Sequence, residues 1–157
     1  MNIRKATLKD LPQLVKLYIE YQKEEEKLAS TGVGRMNYDQ RSVSQDLKSF
    51  ILKRNKILLI MIDEDKIIGL LLGSFAKIPT QRIEDRGFLN EIYIVPKMRG
   101  KGFSSKLKDE FIEWVKKRKS GAGAISLYVM PKNKKALGTY KKWGFRISYL
   151  NLTKELN

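Results

Sequence analysis

The sequence predicts a mixed α/β domain with the element order βααβββαβαβ. Short β-branched runs, such as ILLIMI at 57–62, alternate with segments in which apolar residues recur at helical spacing. The chain has 157 residues, enough for one hydrophobic core and too few for two comfortable ones, and it shows no internal repeat, linker or low-complexity tract. We therefore expect residues 1–157 to form a single domain.

The first part of the chain is predicted to hold one strand and two helices. Residues 1–6 can form a short strand, and Thr7 and Asp10 in TLKD form an acidic variant of the capping box, which marks a helix start. The first helix should run to about residue 28, since its apolar residues are Leu11, Leu14, Val15, Tyr18 and Ile19. A glycine-punctuated loop at 30–37 precedes a second helix at about 39–54, with the apolar stripe Val43, Leu47, Phe50 and Ile51.

The middle of the chain is predicted to form three strands. KILLIMID at 56–63 and KIIGLLLGSFA at 66–76 are β-branched runs joined by DEDK, a pattern typical of an antiparallel hairpin. A polar loop to about residue 86 leads into a third strand, GFLNEIYIV at 87–95.

The last part is predicted to contain two helices and two strands. A helix at 103–119 has the apolar stripe Leu107, Phe111, Ile112 and Val115, and its final turn, KKRK, suits the negative end of the helix dipole. AISLYVM at 124–130 reads as a strand, NKKALGTYKK at 133–142 as a helix, and FRISYLNLTKEL at 145–156 as a final strand.

Composition excludes several kinds of site. The chain contains neither cysteine nor histidine, which rules out disulfides, thiolate nucleophiles, imidazole bases and the usual zinc sites. Any general base must therefore be a carboxylate, a phenol, an amine or water. The formal charge of +15 favours an anionic partner, which can be nucleic acid, a membrane surface or a phosphorylated small molecule.

The apolar runs are far shorter than the roughly 18 residues of a membrane span, and the first ten residues are charged throughout. We therefore expect a soluble cytoplasmic protein with no membrane association.

The stretch IYIVPKMRGKGFSSKL at 92–107 predicts an anion-binding loop. A strand ends at Pro96, two glycines and several cations follow, and a helix then begins. Unpaired amides at a helix N-terminus, the helix dipole and the cations all favour a phosphate group, although a plain connection with a solvated basic rim would have a similar sequence. The spacing fits neither a GxGxxG fingerprint, because Ser105 stands at the third glycine position, nor a Walker A loop.

These residues do resemble the acetyl-CoA-binding signature of the GNAT superfamily of N-acetyltransferases. The resemblance rests on IYIVP at 92–96, RGKGFS at 99–104 and, at the expected separation, NKKALGTYKKWGF at 133–145. Ser104 departs from the family's preference for glycine or alanine. The resemblance covers essentially the whole chain, and it implies a GNAT-like, mostly antiparallel central sheet of six or seven strands flanked by about four helices.

The resemblance also implies a binding site for acetyl-CoA, without a metal ion. Backbone amides of residues 99–104 would bind the pyrophosphate, and the pantetheine arm would lie along residues 92–94 like an added strand. Asn133 would cap the following helix and contact the pantetheine arm, and Tyr140 would protonate the departing thiolate. The predicted residues of this donor site are Ile92, Ile94, Arg99, Gly100, Lys101, Gly102, Phe103, Ser104, Asn133 and Tyr140.

Six of these residues also have a simpler interpretation. Gly100 and Gly102 would then form a tight turn only, Arg99 and Lys101 would be solvated charges, and Asn133 would be a helix cap alone. Tyr140 would be a core aromatic.

Glu91 is the candidate general base, because it is the one carboxylate on the strand at 87–95. Phe88 and Asn90 would line the acceptor pocket with it. Strand alternation places Asn90 and Ile92 on one face and Glu91 on the other unless a bulge intervenes. The alternative role of Glu91 is an ion pair with a lysine, and acidic residues at 24–26 and 84–85 would border the acceptor site.

The sequence thus predicts an enzyme that moves acetyl from acetyl-CoA to a primary amine by direct attack. The acceptor stays open among a protein N-terminus, a lysine, a polyamine and another small amine, and a homodimer stays open too. We expect no specific nucleic-acid partner. The alternatives are a basic nucleic-acid-binding domain and a GNAT-like domain that binds acyl-CoA without catalysis.

Overall fold

The computed structural model describes residues 1–28, 39–79, 85–118 and 123–154. Five strands form one sheet: β1 (Asn2–Lys5), β2 (Lys56–Asp63), β3 (Lys66–Lys77), β4 (Asp85–Ile94) and β5 (Ala124–Leu127). The α-helices are α1 (Leu11–Glu26), α2 (Gln40–Leu52), α3 (Phe103–Lys116) and α4 (Lys134–Lys142). Strands β1 to β4 pair antiparallel in chain order, and β5 joins β4 in parallel. The predicted mixed α/β class is confirmed.

The predicted helix starts agree with the structure. The amide of Thr7 donates to Asp10 Oδ2 at 2.7 Å and closes the capping box over a short 3-10 turn that leads into α1. Arg4 of β1 adds a bidentate pair to the same carboxylate, at 2.8 Å for each bond, and holds the pKa of Asp10 well below its usual range. This contact ties β1 to the start of α1.

The sheet is covered on both faces. Helices α1 and α2 pack on one face against Leu58 and Ile60 of β2, while α3 packs on the other against Leu59 and Met61. Because β2 and β3 are buried on both sides, their sequences are nearly continuous apolar runs rather than alternating ones.

The buried face of α1 differs from the predicted stripe. Val15 and Ile19 are only partly buried, and Leu17 and Tyr21 are buried in their place. The face that contacts the sheet is therefore rotated relative to the prediction, and Tyr21 points inward.

A β-bulge in β4 determines which side chains face α1. Leu72 of β3 pairs with Glu91, and the next residue, Gly73, pairs with Leu89, so Asn90 is an extra residue with no partner opposite. Leu89 packs on the α3 face, whereas Tyr93, beyond the bulge, packs on the α1 face. Strand alternation then places Glu91 on the same face as Tyr93. This is the change of face that the sequence predicts only if a bulge is present.

Strand β5 pairs with only four of the ten residues of β4. Strand β5 pairs with residues 86–89, and beyond the bulge no described strand lies against the outer edge of residues 91–94. The backbone at this edge is open to an extended ligand.

The prediction of six or seven strands is wrong for the described residues, which contain five. Residues 145–154 form neither helix nor strand, and 155–156 lie outside the described residues. Phe145 at its start is partly buried, but the apolar side chains that follow are 67% to 91% exposed, namely Ile147, Tyr149, Leu150 and Leu152. Residues with β propensity form a strand only where the backbone pairs and one face is buried, and this segment has neither.

Other element boundaries differ from the predicted ones by a few residues. The strand predicted at 124–130 ends at Leu127, and α3 ends at Lys116 rather than at residue 119, which lies outside the described residues. The loop predicted at 30–37 also lies outside the described residues. Within the part of the chain that the structure describes, no helix has both the length and the apolar character needed to span a membrane.

Gly73→Ala is expected to destabilise the fold. A Cβ atom at this position would lie 2.2 Å from Cε2 and 2.6 Å from Cδ2 of Phe111, whose side chain is fully buried. Overpacking of this kind costs about 1–3 kcal/mol, which urea unfolding would measure.

Gly138→Ala in α4 is the matched control, because its Cβ would meet no atom within 4 Å. It should stabilise the protein by up to about 1 kcal/mol through helix propensity. Equal unfolding midpoints for the two variants would contradict the packing of Phe111 against Gly73.

Candidate active site

The loop between β4 and α3 presents free backbone donors. Gly100 and Gly102 have φ angles of +80° and +77°, and a Cβ at either position would project into open space. Helix α3 has no side-chain cap, and the amides of residues 100–104 donate to no acceptor among the described residues. A helix N-terminus with several free amides and a positive dipole end is suited to bind a phosphate group.

Arg99 faces away from this open space. Its guanidinium donates to both carboxylate oxygens of Glu24, at 2.5 and 2.8 Å, and to the carbonyl of Ile94 at 2.8 Å, and it lies over the Tyr93 ring. Its amide donates to the Pro96 carbonyl at 3.2 Å. The Arg99 amide is therefore not free for a pyrophosphate, unlike the prediction, and the side chain instead ties the loop to α1 and β4.

Glu91 lies against the buried face of α1. Its Oε2 accepts a short hydrogen bond from the Tyr21 hydroxyl. Burial raises the pKa of Glu91 to about 7, and the nearby charges of Glu25 and Asp46 act in the same direction, while the Tyr21 bond opposes them. Among the described residues no lysine or arginine forms an ion pair with Glu91, so its partner is a phenol rather than the lysine of the alternative interpretation.

Asn133 and Tyr140 are carried by α4. Asn133 Oδ1 accepts from the Ala136 amide at 3.0 Å, which confirms the predicted helix cap, and its Nδ2 donates to Glu25 Oε1 at 3.2 Å. The Tyr140 ring packs on Trp143 and Phe145. Burial, with Glu25 and Glu91, raises the pKa of Tyr140 to about 12, so the phenol keeps its proton at neutral pH.

The other residues predicted near the acceptor form no hydrogen bond or ion pair with the side chains of Glu91, Asn133 or Tyr140 among the described residues. Asn90 is exposed at the bulge and accepts from Ser74 Oγ at 2.8 Å, and Phe88 is partly buried. Asp85 begins β4, six residues or about 20 Å of strand away from Glu91, and residue 84 lies outside the described residues. Lys101 is exposed.

Sequence reasoning missed Tyr21 and gave little weight to Glu24 and Glu25. Tyr21 lies three residues after Tyr18 and seven after Leu14, so it continues the buried stripe of α1, and a buried tyrosine hydroxyl needs a partner. The two glutamates belong to an acidic run whose usual interpretation is a solvated helix face. In the structure they contact Arg99 and Asn133 instead.

The family model described as the acetyltransferase (GNAT) family matches residues 13–145. The chain belongs to the GNAT family of acetyltransferases. Membership confirms the predicted family, which is one of acetyltransferases. Among the described residues, no group of three or more acidic side chains is placed to hold a metal ion.

One curated relative and several solved structures are similar to this GNAT chain. The uncharacterized N-acetyltransferase MJ1207 of Methanocaldococcus jannaschii is 26% identical over 145 residues, which are 92% of this chain and 60% of that protein. A mutant of the BH1408 protein from Bacillus halodurans has a TM-score of 0.79 at 19% identity, with both chains fully covered.

Two further solved structures are also similar to this chain. A transcriptional regulator from Bacillus halodurans C-125 has a TM-score of 0.75 at 26% identity, with 99% of each chain covered. A predicted acetyltransferase with acetyl-CoA from Clostridium acetobutylicum has a TM-score of 0.74 at 20% identity, over 97% of this chain and 95% of that one.

Gly102→Ala is expected to weaken acetyl-CoA binding by about tenfold or more, because the methyl group would project into the open space in front of the free amides. The measurement is the concentration dependence of the thermal shift produced by CoA.

Gly144→Ala is the matched control, since Gly144 also has a positive φ, +87°, and open space around its Cβ. Both variants should lose similar stability through backbone strain, and only Gly102→Ala should lose affinity. Equal affinities would contradict phosphate binding by this loop.

Glu91→Gln is expected to change the pH dependence of stability. The fold raises the pKa of Glu91 from 4.5 to about 7, so the unfolded chain releases this proton at lower pH than the folded one. Stability contributed by the raised pKa is present below about pH 4.5 and is lost as the pH rises towards 7. The neutral amide avoids this loss, and the melting temperature of the variant relative to the parent should increase between about pH 5 and pH 8.

Glu113→Gln removes an exposed carboxylate paired with Lys116 and serves as the control. A difference in melting temperature between Glu91→Gln and the parent that stays constant with pH would show that Glu91 is not perturbed by the fold.

Proposed function

We propose that the chain transfers acetyl from acetyl-CoA to a primary amine by direct attack of the amine on the thioester. One observation carries this proposal. Glu91, whose pKa is raised to about 7, is close enough to Tyr140 to help raise the pKa of that phenol to about 12, and the strand of Glu91 leads into a loop with free backbone donors. Direct transfer needs a base for the amine, an acid for the sulfur and a place for the CoA phosphates.

Glu91 is the proposed base. An alkyl ammonium must lose a proton before its nitrogen can attack, and a carboxylate with a pKa near the working pH accepts that proton better than an ordinary glutamate. The proton moves to Glu91 directly or through one water. Tyr21, which donates to Glu91, would hold the carboxylate in place.

Tyr140 is the proposed acid. When the tetrahedral intermediate collapses, the carbon–sulfur bond breaks and the electron pair stays on sulfur. The phenol donates its proton to that thiolate, and its raised pKa ensures that the proton is present. A backbone N–H at the open edge of residues 91–94 would stabilise the oxyanion.

The loop and the open edge of β4 are the proposed binding surface for the donor. The amides of residues 100–104 would hold the pyrophosphate, and the pantetheine arm would pair with residues 92–94. The Clostridium acetobutylicum neighbour was solved with acetyl-CoA, which supports this assignment.

The acceptor is proposed to be a cationic primary amine. Glu25 and Asp46 lie close enough to Glu91 to help raise the pKa of its carboxyl, and these acidic groups favour a positive group on a protein whose net charge is +15. Two neighbours of this fold are aminoglycoside N-acetyltransferases. A polyamine, a lysine, a protein N-terminus and another small amine all satisfy the same chemistry.

The test is an assay of CoA release with a panel of these amines. At least one amine should be turned over, and Tyr140→Phe should lower kcat by roughly 100-fold while the KM for acetyl-CoA changes little. Tyr149→Phe is the matched control, since Tyr149 is 74% exposed on the C-terminal segment, and it should have no effect.

Two outcomes would replace this proposal. A thermal shift with acetyl-CoA and no turnover of any amine would identify a non-catalytic acyl-CoA-binding domain. Tight, salt-resistant binding of duplex DNA would favour a nucleic-acid-binding function, because binding through net charge alone weakens steeply with salt.

A further inference from the structure

Helix α4 is placed by contacts at its two ends. It carries Tyr140 and is capped by Asn133, but its apolar residues, Tyr140 among them, are only partly buried, whereas α3 has four buried residues. Most helices in proteins are held by packing of an apolar face. A helix whose apolar face is only partly buried needs further contacts to fix its position.

The C-terminal end of α4 is attached to α3. The Trp143 indole N–H donates to Ser105 Oγ at 3.1 Å, and the Lys108 ammonium lies 5.4 Å from the centre of the Trp143 ring. These contacts fix the end of the helix that follows Tyr140.

The N-terminal end of α4 is attached to α1 through Glu25. The Glu25 carboxylate accepts from Asn133 Nδ2, and the Oδ1 atom of the same asparagine accepts from the Ala136 amide. Glu25, Asn133 and the first turn of α4 therefore form one chain of hydrogen bonds. The Asn133 side chain takes part in both hydrogen bonds, the one to Glu25 and the one to the Ala136 amide.

The end of α1 is a firm support for this attachment. Tyr18 and Tyr21 are buried in the core, and their rings contact each other at 5.5 Å. Glu24, which precedes Glu25 in the same helix, accepts from Arg99 of the donor loop. Two adjacent glutamates of α1 thus bind the donor loop and the residue that caps α4.

We propose that Glu25 is a positioning residue for acetyl transfer, which fixes α4 through Asn133 and so sets the place of the Tyr140 hydroxyl relative to Glu91. The inference rests on the proposed role of Tyr140 as the acid. Tyr140 lies seven residues, or about 10 Å, beyond Asn133 along the helix. A small tilt at the start of α4 therefore displaces the hydroxyl, and a displacement of about 1 Å can reduce a catalytic rate by about 100-fold.

The kinetic test compares Glu25→Ala with Glu25→Gln at saturating amine, because both variants lose the negative charge proposed to attract the acceptor. Glutamine keeps a carbonyl oxygen that can accept from Asn133 Nδ2, while alanine removes it. Glu25→Ala should lower kcat by about tenfold or more and change the KM for acetyl-CoA by less than about twofold, and Glu25→Gln should keep most of the parent kcat. Glu113→Ala, on the exposed surface of α3, is the control and should equal the parent.

A double variant tests whether Glu25 acts through Tyr140. In the Tyr140→Phe background, Glu25→Ala should cause no further loss of kcat, because there is no hydroxyl left to position. A full additional loss, or equal losses for Glu25→Ala and Glu25→Gln, would overturn the proposal.

Amide hydrogen exchange tests the attachment without any substrate. Glu25→Ala should speed exchange at the amides of Ala136 and Leu137, which both donate to Asn133, and leave the amides of α3 unchanged. Unchanged exchange at Ala136 and Leu137 would overturn the proposal. If the parent turned over no amine, the proposed function would fail, while this measurement would still decide whether Glu25 fixes α4.

Discussion

The extra residue at Asn90 is the constraint on which the site depends. Without it, Glu91 would follow the alternation of Leu89 and point into the apolar face beneath α3. With it, Glu91 points towards α1 and meets Tyr21. The same bulge lies where β4 and β5 stop pairing, so one irregularity both orients the carboxyl and opens the backbone edge beside it.

The end of α1 links parts of the site that are distant in the chain. Tyr21 reaches Glu91 on β4, Glu24 reaches Arg99 in the loop, and Glu25 reaches Asn133 before α4. These contacts use carboxylates and a phenol, so the region is locally acidic although the protein carries 32 lysines and arginines against 17 acidic residues. Burial makes those few negative charges more effective than the solvated cations around them.

Local patterns could be predicted from the sequence, and contacts between distant residues could not. The glycines at 100 and 102 and the cap at Asn133 depend on neighbouring residues, and their predicted backbone roles agree with the structure. Tyr21 was missed, and Glu25 was placed only at the border of the acceptor site, because their contacts depend on the rotation of α1 over the sheet and on residues 70 and 108 positions away. The final strand predicted at 145–156 is absent from the described residues, because Tyr149 and Leu150 have neither a pairing partner nor a buried face.

The two-sided burial of β2 and β3 has a consequence for the chain before it folds. Residues 57–61 and 67–73 are uncharged, contain no proline and are buried in the native protein, so in an unfolded chain each is a segment prone to intermolecular β aggregation. Lys56 and Asp63 bracket the first run as charged gatekeepers. Because only Glu64 and Asp65 separate the paired ends of the hairpin, closing it costs little chain entropy, and the two runs can cover each other early in folding, before neighbouring molecules reach them.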